Sequence, residues 1–245
     1  MKMKVVVLAA GYGTRLYPLT RHLAKPLIPI NKKPMINFLF EKIAALEKEF
    51  TVDEIRVVVN KKFYKDFLNW KKRFKIKAKI LNDGSMSPDD RLGAIKDMKF
   101  AFRNTKTDWL VLGGDNLFDD NLFGFLKFAK KKSPDPSIGL YDIKSRLEAK
   151  RFGIVKLNQA RRIVDFEEKP KKPASTLAAS CIYFFPRQSL RLLDQFVRQN
   201  QNVDASGRYI AWLAKKAKVF GYILKGRWVD IGHFNSLKLA EKIFK

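Results

Sequence analysis

Near its start the sequence reads Val5-Val6-Val7-Leu8-Ala9-Ala10-Gly11-Tyr12-Gly13-Thr14-Arg15, and this stretch decides the fold. The apolar run predicts a buried parallel strand, because strands that are covered on both faces are continuously hydrophobic. The glycine-bearing loop after it lets backbone N–H groups approach a phosphate, and Arg15 adds a planar fork for phosphate oxygens. Since ligands of open α/β sheets bind at the carboxyl ends of the strands, this loop predicts a phosphate site.

The loop differs from the common phosphate-binding fingerprints. It lacks the third glycine of the dinucleotide-binding motif, and no Gly-Lys-Ser/Thr ends it as in a P-loop. A second segment, Lys25-Pro26-Leu27-Ile28-Pro29, follows ten residues after Arg15 and supplies another cation on a loop stiffened by prolines. The two segments together are a stronger indication of phosphate chemistry than the glycine pair alone.

Short β-branched runs alternate with longer amphipathic ones over the first half of the chain. This alternation predicts βαβ units with right-handed crossovers and helices on both faces of the sheet. The candidate strands, each expected to lie centrally in a parallel sheet, are Lys4–Ala10, Ile55–Asn60, Lys75–Leu81 and Trp109–Gly113. The candidate helices are Met35–Phe50, Tyr64–Phe74, Arg91–Phe102 and Leu122–Lys132.

After Pro136 the strands follow one another with little helix between them, which predicts a partly antiparallel extension of the sheet. The candidate strands here are Ser137–Ile143, Gly153–Leu157, Arg161–Glu167 and Leu177–Phe185. Helices return at Gln188–Gln199, Arg208–Lys216 and Phe234–Phe244. The expected fold is α/β, a Rossmann-like doubly wound, mostly parallel sheet with an antiparallel extension, in a single domain over residues 1–245.

Composition limits the function classes. The 245 residues are 46% hydrophobic and carry a formal charge of +26, which favours phosphorylated substrates, nucleic acid or anionic surfaces as partners. The basic clusters are scattered along the chain, so solvated helix faces are the simpler interpretation and a nucleic-acid groove the alternative. No stretch reaches the roughly 20 apolar residues of a membrane span. The lone Cys181 excludes an internal disulfide and favours a reducing, cytoplasmic location.

The segments Gly11–Thr20 and Lys25–Pro29 follow the pattern Gly-x-Gly-Thr-Arg-Leu-x-Pro-Leu-Thr and then Lys-Pro-Leu-x-Pro. From Val5 to about Ala240 the sequence resembles the sugar-phosphate nucleotidylyltransferases, which have a glycosyltransferase-A-like fold. The resemblance implies a reaction in which an NTP and a sugar 1-phosphate form an NDP-sugar and pyrophosphate. It implies nucleotide binding by Leu8, Ala10, Gly11, Gly13, Thr14 and Arg15, and catalysis by Arg15, Lys25 and Lys169.

Two aspartates indicate a magnesium site. Asp115 ends the apolar run before Asn116, where a carboxylate can hold Mg²⁺ at the carboxyl edge of a strand. The segment Trp228–Gly232 resembles the family's second metal-binding segment, and its aspartate is Asp230. Mg²⁺ takes one or two protein carboxylates and completes its shell with water and phosphate oxygens. The resemblance therefore implies Mg²⁺ as the cofactor, held by Asp115 and Asp230.

The sugar side follows the same resemblance. It implies that Lys169 neutralises the sugar phosphate, that Glu168 holds sugar hydroxyls, and that Gly153 lets a pyranose lie flat against the backbone. Tyr183 lies in the segment that closes the sugar pocket in the family. The family usually has glycine where Cys181 stands, so the sugar stays open.

The nucleobase segment is altered relative to thymidylyltransferases. Asn82, which offers a donor and an acceptor, and Gly93, which lets a base lie close, are the expected base-binding residues. Gly114–Asn116 favours dTTP or UTP, with glucose 1-phosphate as the acceptor.

Several alternatives remain. They are transfer of CMP to phosphocholine, UMP to N-acetylmuramic acid phosphate or GMP to a heptose phosphate, and a non-catalytic nucleotide-sugar or nucleic-acid binding module. Neither an acyltransferase nor a β-helix extension is expected, and homo-oligomerisation stays open.

Overall fold

The computed structural model describes residues 2–200, 204 and 206–244. The strands, in chain order, are β1 Lys2–Leu8, β2 Pro29–Ile30, β3 Lys33–Pro34, β4 Thr51–Val59, β5 Lys79–Asn82, β6 Asp108–Gly113, β7 Asn116–Phe118, β8 Ser137–Asp142, β9 Gly153–Leu157, β10 Ile163–Glu168, β11 Leu177–Phe185, β12 Phe220–Ile223 and β13 Trp228–Asp230. The helices are α1 Met35–Leu46, α2 Tyr64–Arg73, α3 Ala94–Ala101, α4 Phe123–Lys132, α5 Arg146–Ala149, α6 Leu190–Gln199, α7 Ser206–Lys216 and α8 Phe234–Ile243.

The main sheet has the order β10-β9-β11-β6-β1-β4-β5, and β8 and β12 extend it from β11. β1 runs parallel to β4 and β6, and β4 runs parallel to β5. β11 runs antiparallel to β6, β8 and β9, which begins the antiparallel part of the sheet. The predicted fold class, a mostly parallel α/β sheet with a partly antiparallel extension, is confirmed.

The apolar run of β1 explains why helices cover both faces of the sheet. Val5 and Val7 pack into the core beneath α1, α2 and α4, whereas Val6, between them, packs into the opposite core beneath α3, α6 and α7. All three side chains are fully buried. Because side chains alternate along a strand, only a continuous hydrophobic run can supply both cores.

The third predicted strand, Lys75–Leu81, is wrong in extent and in place. The chain turns at Lys75, where φ is +52°, and the strand begins only at Lys79. β5 then pairs with β4 alone, so it lies at the edge of the sheet rather than centrally. The predicted segment has a lysine at every second position from 75 to 79, and such exposed charges are typical of an edge strand, whose outer side faces water.

Several basic clusters occupy the last turns of helices. Residues 71–73 end α2, residues 130–132 end α4 and residues 215–216 end α7. Cations there face the negative end of the helix dipole, which is worth about 0.3–1 kcal/mol each at low salt. This position accounts for part of the basic excess without a nucleic-acid groove.

Three cations from neighbouring strands meet on Glu54 of β4. Its carboxylate accepts hydrogen bonds from Lys4 of β1 at 2.7 Å and from Arg56 at 3.0 Å, and pairs with Lys79 of β5 at 3.0 Å. The side chain of Glu54 is only 14% exposed. These bonds, led by that from Arg56, lower the pKa of Glu54 from 4.5 to about 2.

We predict that Glu54→Gln lowers the free energy of unfolding by up to about 3.5 kcal/mol at pH 7, since the pKa of Glu54 is lowered from 4.5 to about 2 and each pKa unit corresponds to about 1.4 kcal/mol. A lowered pKa stabilises the fold fully above the unfolded value of 4.5, and this stabilisation is lost as the pH falls towards 2. The difference in free energy of unfolding between Glu54→Gln and the unsubstituted protein, measured by urea unfolding, should therefore be smaller at pH 3.5 than at pH 7. Glu41→Gln, which removes an exposed ion pair with Lys33, should change stability by less than about 0.5 kcal/mol. Equal losses in the two variants would contradict the role of Glu54.

Candidate active site

A cleft of about 550 Å³ opens at the carboxyl edge of the parallel strands. Most residues that the sequence predicts for the site line this cleft, namely Leu8, Ala10, Gly11, Gly13, Thr14, Arg15, Gly93, Asp115, Gly153, Glu168, Lys169, Tyr183 and Asp230. Lys25 is absent from the lining but touches it, since its ammonium donates to the Asp115 carboxylate at 2.7 Å. The structure thus brings the predicted residues into one place, with the exception of Asn82 at the end of β5.

Asn82, the predicted base-binding residue, does not line the cleft. Its side-chain oxygen accepts a hydrogen bond from the Gly84 N–H at 2.9 Å, which ties it into its own turn. The neighbouring Asp83 lines the cleft instead. The sequence indicates the correct loop, but the direction of the turn decides which side chain enters the cleft.

The loop that the sequence predicts to bind phosphate, residues 11–15 and called the phosphate loop below, is fixed in its conformation by Gly13. Its φ of +61° is in the left-handed region that favours glycine, and its carbonyl accepts hydrogen bonds from the Leu16 N–H and the Thr20 hydroxyl, each at 2.8 Å. A Cβ atom at position 13 would come within 3.2 Å of the Lys25 side chain. Glycine at this position therefore sets the turn and allows Lys25 to pack beneath the loop.

The two predicted metal-binding aspartates meet through a short antiparallel ribbon. β7 pairs with β13 so that Asn116 lies opposite Asp230, and the Ile231 N–H donates to the Asp115 carbonyl at 3.0 Å. The Trp228 indole N–H donates to the Asn116 side chain at 2.7 Å. The ribbon carries Asp230 to the end of β6, beside Asp115.

A second set of bonds holds the chain just before β13. Asp119 accepts two side-chain hydrogen bonds from Arg227, at 2.7 and 3.0 Å, and Asp120 accepts one from the Lys225 N–H at 2.9 Å. The Asp119 N–H in turn donates to the Arg227 carbonyl at 2.9 Å. These contacts anchor the ribbon at the end where Phe118 pairs with Trp228.

The aspartate pair is only partly neutralised. Burial opposes ionisation of Asp115, but the Lys25 ammonium and the Asn116 amide keep the pKa of Asp115 below its usual value. Burial and then the charge of Asp115 raise the pKa of Asp230 to about 6, and Lys25 and Arg15 only offset this in part. The floor of the cleft therefore favours a further positive charge.

This arrangement fits Mg²⁺. Among the described residues, no cluster of three or more His, Cys, Asp or Glu side chains could hold a metal ion without other ligands. Mg²⁺ needs only one or two carboxylates when phosphate oxygens and water complete its shell. Asp115 and Asp230, beside a phosphate loop, meet that requirement, and a bound cation would oppose the burial and the charge of Asp115 that raise the pKa of Asp230.

The predicted sugar-side residues gather at one end of the cleft. β9 and β10 pair so that Gly153 lies opposite Glu168, and the Lys169 N–H donates to the Phe152 carbonyl at 3.0 Å. Tyr183 shares a hydrogen bond of 3.0 Å with the Ser206 hydroxyl.

The strand β11 bends beside this end of the cleft. Its first residues pair with β9 and its last with β6, and Cys181 between them has φ +52°. Glycine adopts this conformation without strain. The bend gives a physical reason for the glycine that the related family usually has at the position of Cys181.

Sequence reasoning missed cleft residues at both ends. At the sugar end these include Arg151, Ser206 and Trp228, and at the other end Tyr12, Asp83, Arg91, Asp97 and Asp204. One signal was available for Asp97: it lies among Ile95, Met98 and Ala101 on the buried face of α3, where a carboxyl group is out of place.

Comparison with known proteins places the chain in a family. The family model described as nucleotidyl transferase matches residues 4–244. The bifunctional protein GlmU of Methanocaldococcus jannaschii is 31% identical over 230 residues, which cover 94% of this chain and 51% of that protein. Glucose-1-phosphate adenylyltransferase of Clostridium acetobutylicum is 29% identical over 262 residues, which cover 95% of this chain and 64% of that protein. The chain thus spans only about half to two thirds of the length of these relatives.

A solved structure matches the whole fold. It is a crystal structure, with sucrose, of a protein provisionally assigned as a glucose-1-phosphate thymidylyltransferase from Bacillus anthracis. It aligns with a TM-score of 0.82 at 22% identity, covering 98% of this chain and 94% of that one. None of the helices within the described residues has the length and apolar character to cross a membrane. The resemblance deduced from the phosphate loop is confirmed, and this chain belongs to the nucleotidyl transferase family.

Proposed function

We propose that the chain transfers a nucleotidyl group from an NTP to a sugar 1-phosphate and releases pyrophosphate. One observation carries this proposal: Asp115, Asp230, Lys25 and Arg15 converge beside the phosphate loop, with Lys169 and Glu168 in the same cleft. An aspartate pair next to two cations suits a metal-bound triphosphate, and the lysine with the glutamate suits a phosphorylated polyol.

The chemistry needs positioning and charge more than proton transfer. The attacking oxygen belongs to a phosphate that is already an anion, so no general base is required. Mg²⁺ held by Asp115 and Asp230 would neutralise triphosphate oxygens. Arg15 and Lys25 stabilise the charge that develops on the departing pyrophosphate, and Lys169 holds the incoming phosphate against its repulsion by the triphosphate. Each role follows from a cation placed where negative charge increases.

The acceptor is supported by two curated relatives. Both the Clostridium acetobutylicum and the Clostridium novyi proteins are named glucose-1-phosphate adenylyltransferases, so glucose 1-phosphate is the acceptor we propose for this chain. The names of these relatives specify an adenylyl group, whereas the Gly114–Asn116 segment favours dTTP or UTP. The relatives therefore do not decide the nucleobase, which depends on this chain's own residues. A cytoplasmic location, expected from the lone Cys181, belongs to the same proposal.

The direct test is pyrophosphate release by the purified protein with Mg²⁺, crossing NTPs with glucose 1-phosphate, other sugar 1-phosphates and phosphocholine. We expect release with a sugar 1-phosphate and none without an acceptor. Release with phosphocholine alone would move the chain to another acceptor class. If no combination of substrates releases pyrophosphate, and the protein still shows a cooperative unfolding transition, the chain is a binding module and the transferase proposal is wrong.

We predict that Arg15→Ala and Asp115→Asn each lower kcat by at least about 100-fold, because each removes an electrostatic stabiliser of the transition state. The measurement is steady-state pyrophosphate release at saturating substrates. Arg73→Ala, at the exposed end of α2, and Asp194→Asn, exposed on α6, are matched controls and should keep kcat within about twofold. Turnover near that of the controls in Arg15→Ala or Asp115→Asn would refute the role given to that residue.

Lys169→Ala should separate the two substrates. Since Lys169 lies at the sugar end of the cleft, we expect the KM for the sugar 1-phosphate to rise on the order of 10-fold or more, and the KM for the NTP to stay within about twofold. Lys172→Ala, exposed three residues further on, provides the control. An equal rise in both KM values would place Lys169 on the nucleotide instead.

A further inference from the structure

The cleft has a second end, across the phosphate loop from the sugar side. The sheet order puts β9 and β11 on one side of β1, and β4 and β5 on the other. Asp83 follows β5, and Asp97 lies on α3, so both reach the cleft from the side opposite to Lys169. If the triphosphate lies along the phosphate loop, this end receives the nucleoside.

Asp97 is a buried carboxyl group that the mechanism does not use. It is 5% exposed, lies on the apolar face of α3 and yet lines the cleft. Within the described part of the chain, its Oδ1 atom has no hydrogen-bond partner. A buried polar atom without a partner destabilises the fold, and native proteins have few such atoms, many of them at functional sites.

Asp83 adds a second such oxygen. Its Oδ1 accepts from the Ser85 N–H and hydroxyl, both at 2.8 Å, but its buried Oδ2 has no partner among the residues described. Burial raises the pKa of Asp83, and burial followed by the charges of Asp83 and Asp204 raises the pKa of Asp97 to about 8. At neutral pH Asp97 therefore carries its proton for much of the time.

The cation at this end of the cleft, Arg91, already has hydrogen-bond partners. Arg91 donates from Nε and Nη2 to Asp204, at 3.2 and 2.7 Å, and from Nη1 to the Pro88 carbonyl at 2.6 Å. Tyr12 donates its hydroxyl to Ser85 at 3.1 Å. Among the residues that the structure describes, no cation therefore pairs with the carboxyl groups of Asp83 and Asp97, although the net charge of the chain is +26.

We propose that Asp83 and Asp97 read the nucleobase, and that they select an NTP whose base carries an exocyclic amino group over UTP and dTTP. This proposal rests on the proposed function and replaces the dTTP or UTP expected from the sequence. Cytosine, adenine and guanine present amino N–H donors that carboxyl oxygens accept. Uracil and thymine present a single N3–H between two carbonyl oxygens, which would face the unpartnered Asp83 oxygen acceptor to acceptor.

The proton on Asp97 extends the match. A protonated carboxyl group donates through one oxygen and accepts through the other. That pair complements an amino group next to a bare ring nitrogen, as in cytosine and adenine, but it also fits the O4 and N3–H of uracil, so the rejection of UTP and dTTP depends on the unpartnered oxygen of Asp83. An ionised carboxylate instead accepts from the adjacent N1–H and amino group of guanine. In each case the carboxyl group gains the partner that it lacks in the free protein.

The test compares CTP, GTP, ATP, UTP, dTTP and ITP in two assays with Mg²⁺. One is kcat/KM for pyrophosphate release with the accepted sugar 1-phosphate, and the other is the Kd from calorimetric titration without acceptor. We expect the best of CTP, GTP and ATP to exceed UTP and dTTP by at least about tenfold in both assays, because a site built to pair a polar group rejects the analogue without it. If a purine is preferred, ITP, which lacks the amino group, should fall by a similar factor.

Substitutions of the two aspartates test which residue produces the preference for an amino-bearing base. Asn has the shape of Asp but presents an amide donor and acceptor that suit the N3–H and O4 of uracil. Asp83→Asn should therefore reduce the ratio of the best amino-bearing NTP to UTP by at least about tenfold, whereas Asp97→Asn, which keeps the donor and acceptor of a protonated carboxyl group, should change this ratio by less than about threefold. Asp194→Asn, exposed on α6, should leave the ratio unchanged.

The outcomes separate this proposal from the proposed function. A wild-type preference for UTP or dTTP, or a ratio unchanged in Asp83→Asn, overturns the base-reading proposal even when pyrophosphate is released. Titrations that show the amino preference without pyrophosphate release from any NTP support base reading and refute the transferase reaction.

Discussion

The repulsion between Asp115 and Asp230 is the constraint on which the rest of the site depends. Two carboxyl groups at the floor of a cleft are stable only if cations hold them, and Lys25 and Arg15 do so incompletely, since the pKa of Asp230 stays near 6. The phosphate loop closes over Lys25 because position 13 has no side chain. Loop, lysine and carboxylates are therefore one electrostatic unit rather than separate motifs.

The two ends of the cleft differ in charge, and the sheet explains why they stay apart. The parallel half carries the phosphate loop and the unpaired carboxyls, whereas the antiparallel half carries Lys169 and Glu168. β11 joins the halves and bends at Cys181 in passing from β9 to β6. A substrate with a phosphate in the middle and two dissimilar ends fits such a division better than a uniform polyanion does.

The sequence is sufficient for features that depend on local pattern. The apolar run of β1 predicts a strand buried on both faces, and the glycines after it predict the phosphate loop. Contacts between distant segments leave little local trace: β7 and β13 are each three residues long, too short for any periodicity. The pairing of Asp115 with Asp230 was therefore accessible only through family resemblance, and Asp83 was missed in favour of Asn82 because one residue of turn geometry separates them.

The ribbon of β7 and β13 also has a consequence for biosynthesis. A chain that leaves the ribosome N-terminus first exposes the phosphate loop, Lys25, Asp115 and the sugar-side strands before Trp228–Asp230 is translated. The bonds of Arg227 and Lys225 to Asp119 and Asp120 form only then, so the acidic floor is completed after most of the sheet can pair. A nascent chain can thus acquire the two cores that flank the sheet while the carboxylates of Asp115 and Asp230, which we propose hold the metal, are not yet together.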